Sequence, residues 1–137
     1  MSFRIRRVDY YYHMVEDVPG EAYKLLSNLA GMGVNLLAFT AVPMGPSRTQ
    51  FSLFPEDGRA FEAAARKAGM QVDGPHRALL VQGDDELGAL AGLHEKLYRA
   101  RVNVYASNSV SDGAGNYGYL LYVRPEDYQR AVEALEV

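Results

Sequence analysis

The sequence contains no cysteine and no tryptophan among its 137 residues. Without cysteine there is no disulfide framework, no thiolate metal site and no cysteine nucleophile. No apolar run approaches the ~20 residues of a membrane-spanning helix, so we expect no membrane segment. The basic residues near the N terminus are followed by Val8-Asp9 instead of an apolar stretch, which argues against a secretion signal. These absences predict a cytoplasmic protein.

Positive charge is also scarce. Fourteen Lys and Arg face seventeen Asp and Glu, which gives a net charge of −3. Residues 1–75 carry eight side chains of each sign, whereas residues 76–137 carry six basic and nine acidic ones. Phosphate-backbone binding normally needs a positive excess, so nucleic acid is not an expected partner. The three histidines are scattered along the chain, and we expect neither a metal site nor a cofactor.

What the chain does contain is an internal repeat. Sliding the sequence against itself by 68 positions matches similar residues without a gap through most of each half. If two residues are added near the end, Pro55-Glu56-Asp57 also matches Pro125-Glu126-Asp127. The ungapped pairs include Asp17 with Asp85, Gly20 with Gly88, Leu25 with Leu93, Leu29 with Leu97, Val34-Asn35 with Val102-Asn103, Phe51 with Tyr119, and Leu53 with Leu121.

Hydrophobic periodicity gives each copy the order strand, helix, strand, strand, helix. The pattern predicts an α+β protein of two ferredoxin-like βαββαβ units, each an antiparallel sheet with helices on one face. We place the units at residues 1–75 and 76–137, with Met70 to Val72 as a short closing strand of the first and Asp73-Gly74-Pro75 as the turn between them. The second unit ends at Glu136-Val137 and lacks a full closing strand. Because an unpaired sheet edge invites pairing, this predicts a homodimer.

Two short motifs carry a family resemblance. Asp17-Val18-Pro19-Gly20 lies between a strand and a helix, and Gly33-Val34-Asn35 opens the next strand. This arrangement resembles the ACT domain, and Asp85-Glu86-Leu87-Gly88 with Val102-Asn103 is a weaker version of it. The second copy departs from the pattern at Leu87, which replaces Pro19, and at the arginines that replace Gly31 and Gly33. The resemblance implies a small regulatory module that binds an amino acid between two modules and acts on an enzyme of amino-acid metabolism.

The residues of these motifs suit a zwitterion. A glycine at a helix start lets a ligand approach the backbone, and the N–H groups there suit a carboxylate. An aspartate in the same loop can pair with an ammonium group, and the asparagines can both donate and accept hydrogen bonds. The candidate ligand-binding residues are therefore Asp17, Val18, Pro19, Gly20, Asn35, Asp85, Glu86, Gly88 and Asn103. No catalytic residue is predicted, so we expect a non-enzymatic sensor.

Other interpretations remain open from the sequence alone. The glycines and asparagines also fit a plain structural role, which would leave a dimerisation or protein-interaction module without a ligand. Tyr117-Gly118-Tyr119-Leu120-Leu121-Tyr122 is similar to the aromatic strand of RNA-recognition modules, although the unit is acidic and its first strand lacks an aromatic partner. Val81-Gln82-Gly83 is similar to the acylphosphatase loop, but Asp84-Asp85-Glu86 follows where a phosphate-binding arginine is needed.

Overall fold

The computed structural model describes residues 3–137. The chain forms two compact units, and the boundaries between them fall within two of the strands. Asp9–His76 forms one unit, here called the central unit, and residues 3–8 together with Arg77–Val137 form the other, the terminal unit. Strand β1 (Phe3–Glu16) and strand β4 (Asp73–Asp84) each contribute residues to both units. The predicted boundary after residue 75 lies close to this division, but the structure groups residues 3–8 with the second half of the chain.

The central unit is a helix-covered antiparallel sheet. Its strands lie in the order β2-β3-β1-β4, and β3 is antiparallel to both β1 and β2. Leu25 and Leu29 from α1 pack with Phe61 from α2 and with Leu53, which is fully buried. The apolar residues recur at helical spacing on the helices and at alternate positions on the strands, as one buried face requires. After β1, the elements are α1 (Glu21–Gly31), β2 (Leu36–Pro43), β3 (Arg48–Pro55) and α2 (Gly58–Lys67).

The terminal unit repeats this arrangement with the strand order β1-β4-β6-β5. Its core joins Leu79 and Val81 of the sheet to Leu93 and Leu97 of its first helix. Tyr117 of β6 belongs to the same apolar cluster. After β4, the elements are α3 (Ala89–Arg99), β5 (Val104–Ser111), β6 (Asn116–Val123) and α4 (Pro125–Ala134). The predicted α+β, ferredoxin-like fold is confirmed.

The beginning of the chain supplies the strand that the terminal unit lacks. Residues 135–137 form no strand after α4, whereas β1 lies beside β4 in the sheet. Ile5 packs against the terminal core, Arg6 donates a hydrogen bond to Gln82 Oε1 at 3.0 Å, and Arg7 donates one to the Val137 carbonyl at 2.8 Å. The fourth strand position is therefore filled within the chain. This removes the observation on which the dimer prediction depended.

The predicted closing strand of the central unit is wrong. Met70 to Val72 form no strand, and Asp73-Gly74-Pro75, expected to be a turn, begins β4 instead. Met70 N donates to the Ala65 carbonyl at 2.9 Å, so this segment completes the end of α2. The turn was predicted because glycine and proline usually mark turns, whereas Gly74 and Pro75 lie at the start of a strand.

The repeat is visible in the element boundaries. Helices α1 and α3, strands β2 and β5, and strands β3 and β6 begin and end 68 positions apart, and both β2 and β5 carry an irregularity after their first residue. Helices α2 and α4 begin 67 positions apart, at Gly58 and Pro125. The predicted match of Pro55-Glu56-Asp57 with Pro125-Glu126-Asp127 is therefore wrong. Pro55 ends a strand, whereas Pro125 opens a helix, where proline is tolerated because no N–H is needed there.

None of the helices within residues 3–137 is both long and apolar enough to cross a membrane.

Candidate functional site

Each unit has a glycine with positive φ where its first helix begins. Gly20 has φ +94° and Gly88 has φ +78°, and no heavy atom lies within 4 Å of the Cβ that either could carry. Backbone conformation, rather than space, thus favours glycine at both positions. Neither helix start has a side-chain cap. Because the first N–H groups of a helix have no partner within the helix, both starts suit an anionic group.

Both loops are held at the same place in their units. Asp17 N donates to the Ser47 carbonyl at 2.9 Å, and Asp85 N donates to the Gly115 carbonyl at 2.9 Å. Ser47 and Gly115 each immediately precede the third strand of their unit. In both units the loop before the first helix therefore lies at the starting end of this strand. The predicted neighbours Asp17, Val18, Pro19 and Gly20 stay together there, as do Asp85, Glu86 and Gly88.

The predicted asparagines lie at the opposite end. Asn35 Nδ2 donates to Glu56 Oε2 at 2.8 Å, and Glu56 N donates to the Asn35 carbonyl at 2.9 Å. Glu56 follows the last residue of β3, whose eight residues span about 23 Å at ~3.3 Å per step. Asn103 likewise precedes Val104, which pairs with the last residue of β6. Within one unit, neither asparagine is brought to its glycine loop, and both the side chain and the carbonyl of Asn35 are hydrogen-bonded to Glu56.

A cleft opens beside the loop of the terminal unit. Its volume is about 550 Å³, and residues 85–91, residues 109–111 and Tyr117 line it. Asp85, Glu86 and Gly88 are predicted site residues, whereas Ser109, Ser111 and Tyr117 were missed by the sequence reasoning. The two serines are two positions apart on β5, and Ser111 is paired with Tyr117 across the sheet. Alternation along β5 was the available signal, but only the strand register shows that these side chains meet the loop.

Hydrogen bonds fix the acidic loop against the strand. Ser111 Oγ donates to Asp85 Oδ2 at 3.0 Å and accepts from Gly113 N at 3.2 Å. In the same turn, Ala114 N and Asn116 N donate to Asp112 Oδ1. These bonds to the charged form lower the pKa of Asp112 below its ordinary value. Ser111 thus positions the Asp85 carboxylate, and the Asp112 carboxylate stabilises the turn that follows Ser111.

The charged residues that line the cleft are all acidic. Burial, followed by the negative charges of Asp84, Asp85 and Glu86, raises the pKa of Tyr117 above its ordinary value. None of the residues that line the cleft is lysine, arginine or histidine. The acidic loop can therefore receive an ammonium group, while the first turn of α3 can receive a carboxylate. Among residues 3–137, no cluster of three or more His, Asp or Glu side chains is arranged to hold a metal ion.

The equivalent positions of the central unit are less polar. Counting back 68 positions, Ala41 replaces Ser109, Pro43 replaces Ser111 and Thr49 replaces Tyr117. Proline carries no hydroxyl, so Asp17 has no counterpart of the bond between Ser111 and Asp85. The two units share the backbone of the loop but not the side chains that face it.

Solved structures of low sequence identity share the fold of this chain. The regulatory subunit of aspartate kinase from Thermus thermophilus aligns with a TM-score of 0.62 at 17% identity, over 98% of this chain and 94% of that one. The corresponding subunit from Thermus flavus gives 0.60 at 16% identity, over 99% and 95%. A protein from Bacteroides thetaiotaomicron gives 0.79 at 15% identity, over 96% and 88%. The chain has the fold of these regulatory subunits.

This shared fold agrees with the resemblance to ACT domains in the sequence motifs around Gly20 and Gly88. No protein-family model matches the chain, and no curated protein sequence matches it. The similarity is therefore one of structure, at identities of 15 to 17% for the three proteins compared.

Proposed function

We propose that this protein is a non-catalytic regulatory module that binds a free amino acid in the cleft of the terminal unit. The observation that carries the proposal is the pairing of opposite recognition groups in one cleft. The start of α3 presents N–H groups for the α-carboxylate, and Asp85 and Glu86 present carboxylates for the α-ammonium group. The volume of about 550 Å³ lies within the usual range for small-molecule sites.

The regulated partner in this proposal is an enzyme of amino-acid metabolism. The solved structures with the same fold include subunits that regulate aspartate kinase, and they are regulatory rather than catalytic parts. Binding would shift the protein between two states, by no more than the difference in ligand affinity between those states.

A thermal-unfolding panel with the twenty amino acids tests the proposal. A ligand at ~100 times its dissociation constant stabilises the folded state by about 2.7 kcal/mol, which raises the melting temperature by several degrees. Asp85→Asn should then weaken binding of the best amino acid about tenfold, because the charged partner of the ammonium group is lost. The matched control is Asp17→Asn, which changes the equivalent carboxylate and should leave the affinity unchanged. If no amino acid stabilises the protein, the ligand-binding proposal is wrong.

We also propose that the protein forms a homodimer through β5. This strand lies at the edge of its sheet and carries no charged residue and no proline. Tyr105 and Val110, at 50% and 71% exposure, present apolar surface along it. Such an edge lacks the features that prevent strand pairing. A second copy paired there would lie beside Ser109 and Ser111, so ligand binding and assembly would be coupled.

Analytical ultracentrifugation at micromolar concentration tests the dimer. Val110→Lys should yield monomers, because charge on an edge strand opposes pairing. Val42→Lys changes the equivalent residue of β2, which is also exposed, and should leave the dimer intact. Wild-type protein that sediments as a monomer would contradict the proposal. A dimer without any amino-acid response would instead favour the dimerisation module without a ligand.

A further inference from the structure

Three arginines distinguish the two copies of the repeat at the end of each unit that is opposite the glycine loop. Counting back 68 positions, Arg99, Arg101 and Arg124 replace Gly31, Gly33 and Glu56. All three arginines are exposed. Arg99 pairs with Glu95 at 3.2 Å, whereas Arg101 and Arg124 form no ion pair within residues 3–137. The terminal unit therefore carries positive charge at positions where the central unit has glycine or glutamate.

Arg101 is held in an unfavourable backbone conformation. Its φ is +61°, in the left-handed region, and Gly33 has φ +77° at the equivalent position. Glycine adopts this conformation without the strain that a side chain brings. The C terminus of α3 favours a cation, but Lys96 and Arg99 already provide positive charge in its last turn. The backbone and the helix end therefore do not account for an arginine at this position, whereas a contact outside the unit would.

Strand β5 lies between these arginines and the acidic loop. Arg101 lies three residues before β5 begins, and Arg124 follows the residue of β6 that pairs with the first residue of β5. At the other end of β5, Ser111 donates a hydrogen bond to Asp85, and Glu86 follows in the same loop. None of the eight residues of β5 is charged. This edge strand therefore has positive charge beside its start and negative charge beside its end.

Antiparallel pairing of two β5 strands would bring unlike charges together. The start of each strand then lies opposite the end of the other, and a two-fold axis perpendicular to the sheet keeps the helices of both copies on one face. Parallel pairing would instead place like charges together at both ends. The antiparallel orientation also brings the exposed side chain of Tyr105, near the start, toward that of Val110, near the end.

Strand β2, the edge strand of the central unit, lacks this complementarity. Glu56 lies beside its start and Asp17 beside its end, so two antiparallel β2 strands would bring acidic groups together. Pro43 is the last residue of β2, and proline at a sheet edge opposes pairing. The charges therefore favour contact through β5 rather than through β2.

We propose that a second copy of the chain pairs with β5 in the antiparallel orientation, and that Arg101 and Arg124 of each copy bind Asp85 and Glu86 of the other. The inference rests on the proposed homodimer. It adds the orientation of the two copies, the residues that select this orientation, and a reason for arginine where the repeat has glycine. Because the contact is symmetric, each substitution changes it at two places.

Sedimentation of charge-reversed variants, without added amino acid, tests the proposal. Arg124→Glu should raise the dimer dissociation constant about tenfold or more, because two attractive contacts become repulsive. Glu86→Arg should have the same effect. An equimolar mixture of the two variants should recover dimers, since each copy then carries the charge that the other needs. Only contacts between copies can give this recovery, so the mixture separates them from damage to the fold.

Arg101→Gly separates dimer affinity from folding stability. At a protein concentration where the chain is monomeric, it should raise the melting temperature, because the left-handed conformation no longer carries a side chain. It should also raise the dimer dissociation constant about fivefold, because two attractive contacts are lost. Arg59→Glu is the matched control, since it reverses an exposed arginine at the equivalent end of the central unit, and it should leave the dimer unchanged.

The outcomes separate this inference from the homodimer on which it rests. If Arg124→Glu and Glu86→Arg dimerise as tightly as the wild type, or if their mixture recovers no dimer, the charge pairing is overturned while a dimer through β5 remains. An unchanged dissociation constant for Arg101→Gly would remove Arg101 from the contact. If the wild-type protein is a monomer, the proposed homodimer fails as well, so the two failures are distinguishable.

Discussion

The contribution of residues 3–8 to the terminal unit can be tested by replacing Ile5 with alanine. Ile5 is partly buried against the core of that unit. Truncating a fully buried isoleucine to alanine costs 2–5 kcal/mol, so a half-buried one should cost about 1–2 kcal/mol. Urea denaturation measures this loss as a lower transition midpoint with an unchanged slope.

Hydrogen exchange shows which elements the Ile5→Ala substitution destabilises. Ile5→Ala should accelerate exchange in β6 and α4, because local opening follows the packing that has been weakened. Val15→Ala is the matched control, since Val15 lies on the same strand but packs against the central core. It should accelerate exchange in α1 and β3 instead. If Ile5→Ala loosens only α1 and β3, or leaves the terminal unit unchanged, the assignment of residues 3–8 is refuted.

Four further substitutions probe the packing and electrostatics of the units. Leu53→Ala and Leu121→Ala truncate equivalent, fully buried leucines, so each should lower the free energy of unfolding by about 2–5 kcal/mol in urea titrations. Asp57→Ala should cost about 1 kcal/mol in the same assay, because the Asp57 carboxylate caps α2 through Arg59 N and Ala60 N. Burial and the hydrogen bond to Glu62 raise the pKa of Tyr11 above that of an unfolded chain, so stability present below about pH 10 should fall as the pH rises further. The urea midpoint of Tyr11→Phe should fall less than that of the wild type between pH 9 and pH 11, and an equal fall would contradict this.

The repeat and the fold class could be predicted because both are local. Apolar residues recur every 3.6 positions in the helices and every two in the strands, so neighbouring residues reveal the type of element. Glycines with positive φ lie at the start of the first helix in both copies. Leu53 and Leu121, matched by position alone, are both fully buried. These features depend on neighbours in the chain and on the face of an element that is buried.

Long-range pairing could not be predicted. Residues 135–137 form no strand, and the strand that lies beside β4 is β1, whose residues 3–8 are far from α4 in the sequence. For the same reason, the sequence alone could not predict which side chains meet at the candidate site. Asn35 is close to Gly20 in the motif but is separated from it by the length of β3, whereas Ser111 and Tyr117 reach Asp85 only through strand register.

The central claim is that the cleft of the terminal unit binds a free amino acid. A two-dimensional ¹H–¹⁵N NMR titration with the amino acid that stabilises the protein most tests it directly. The account predicts shifts in the amide signals of Gly88, Leu90, Ala91 and Ser109 to Ser111, with little change at the equivalent positions 20–23 and 41–43. Shifts confined to the central unit, or no shifts at all at saturating ligand, would contradict it.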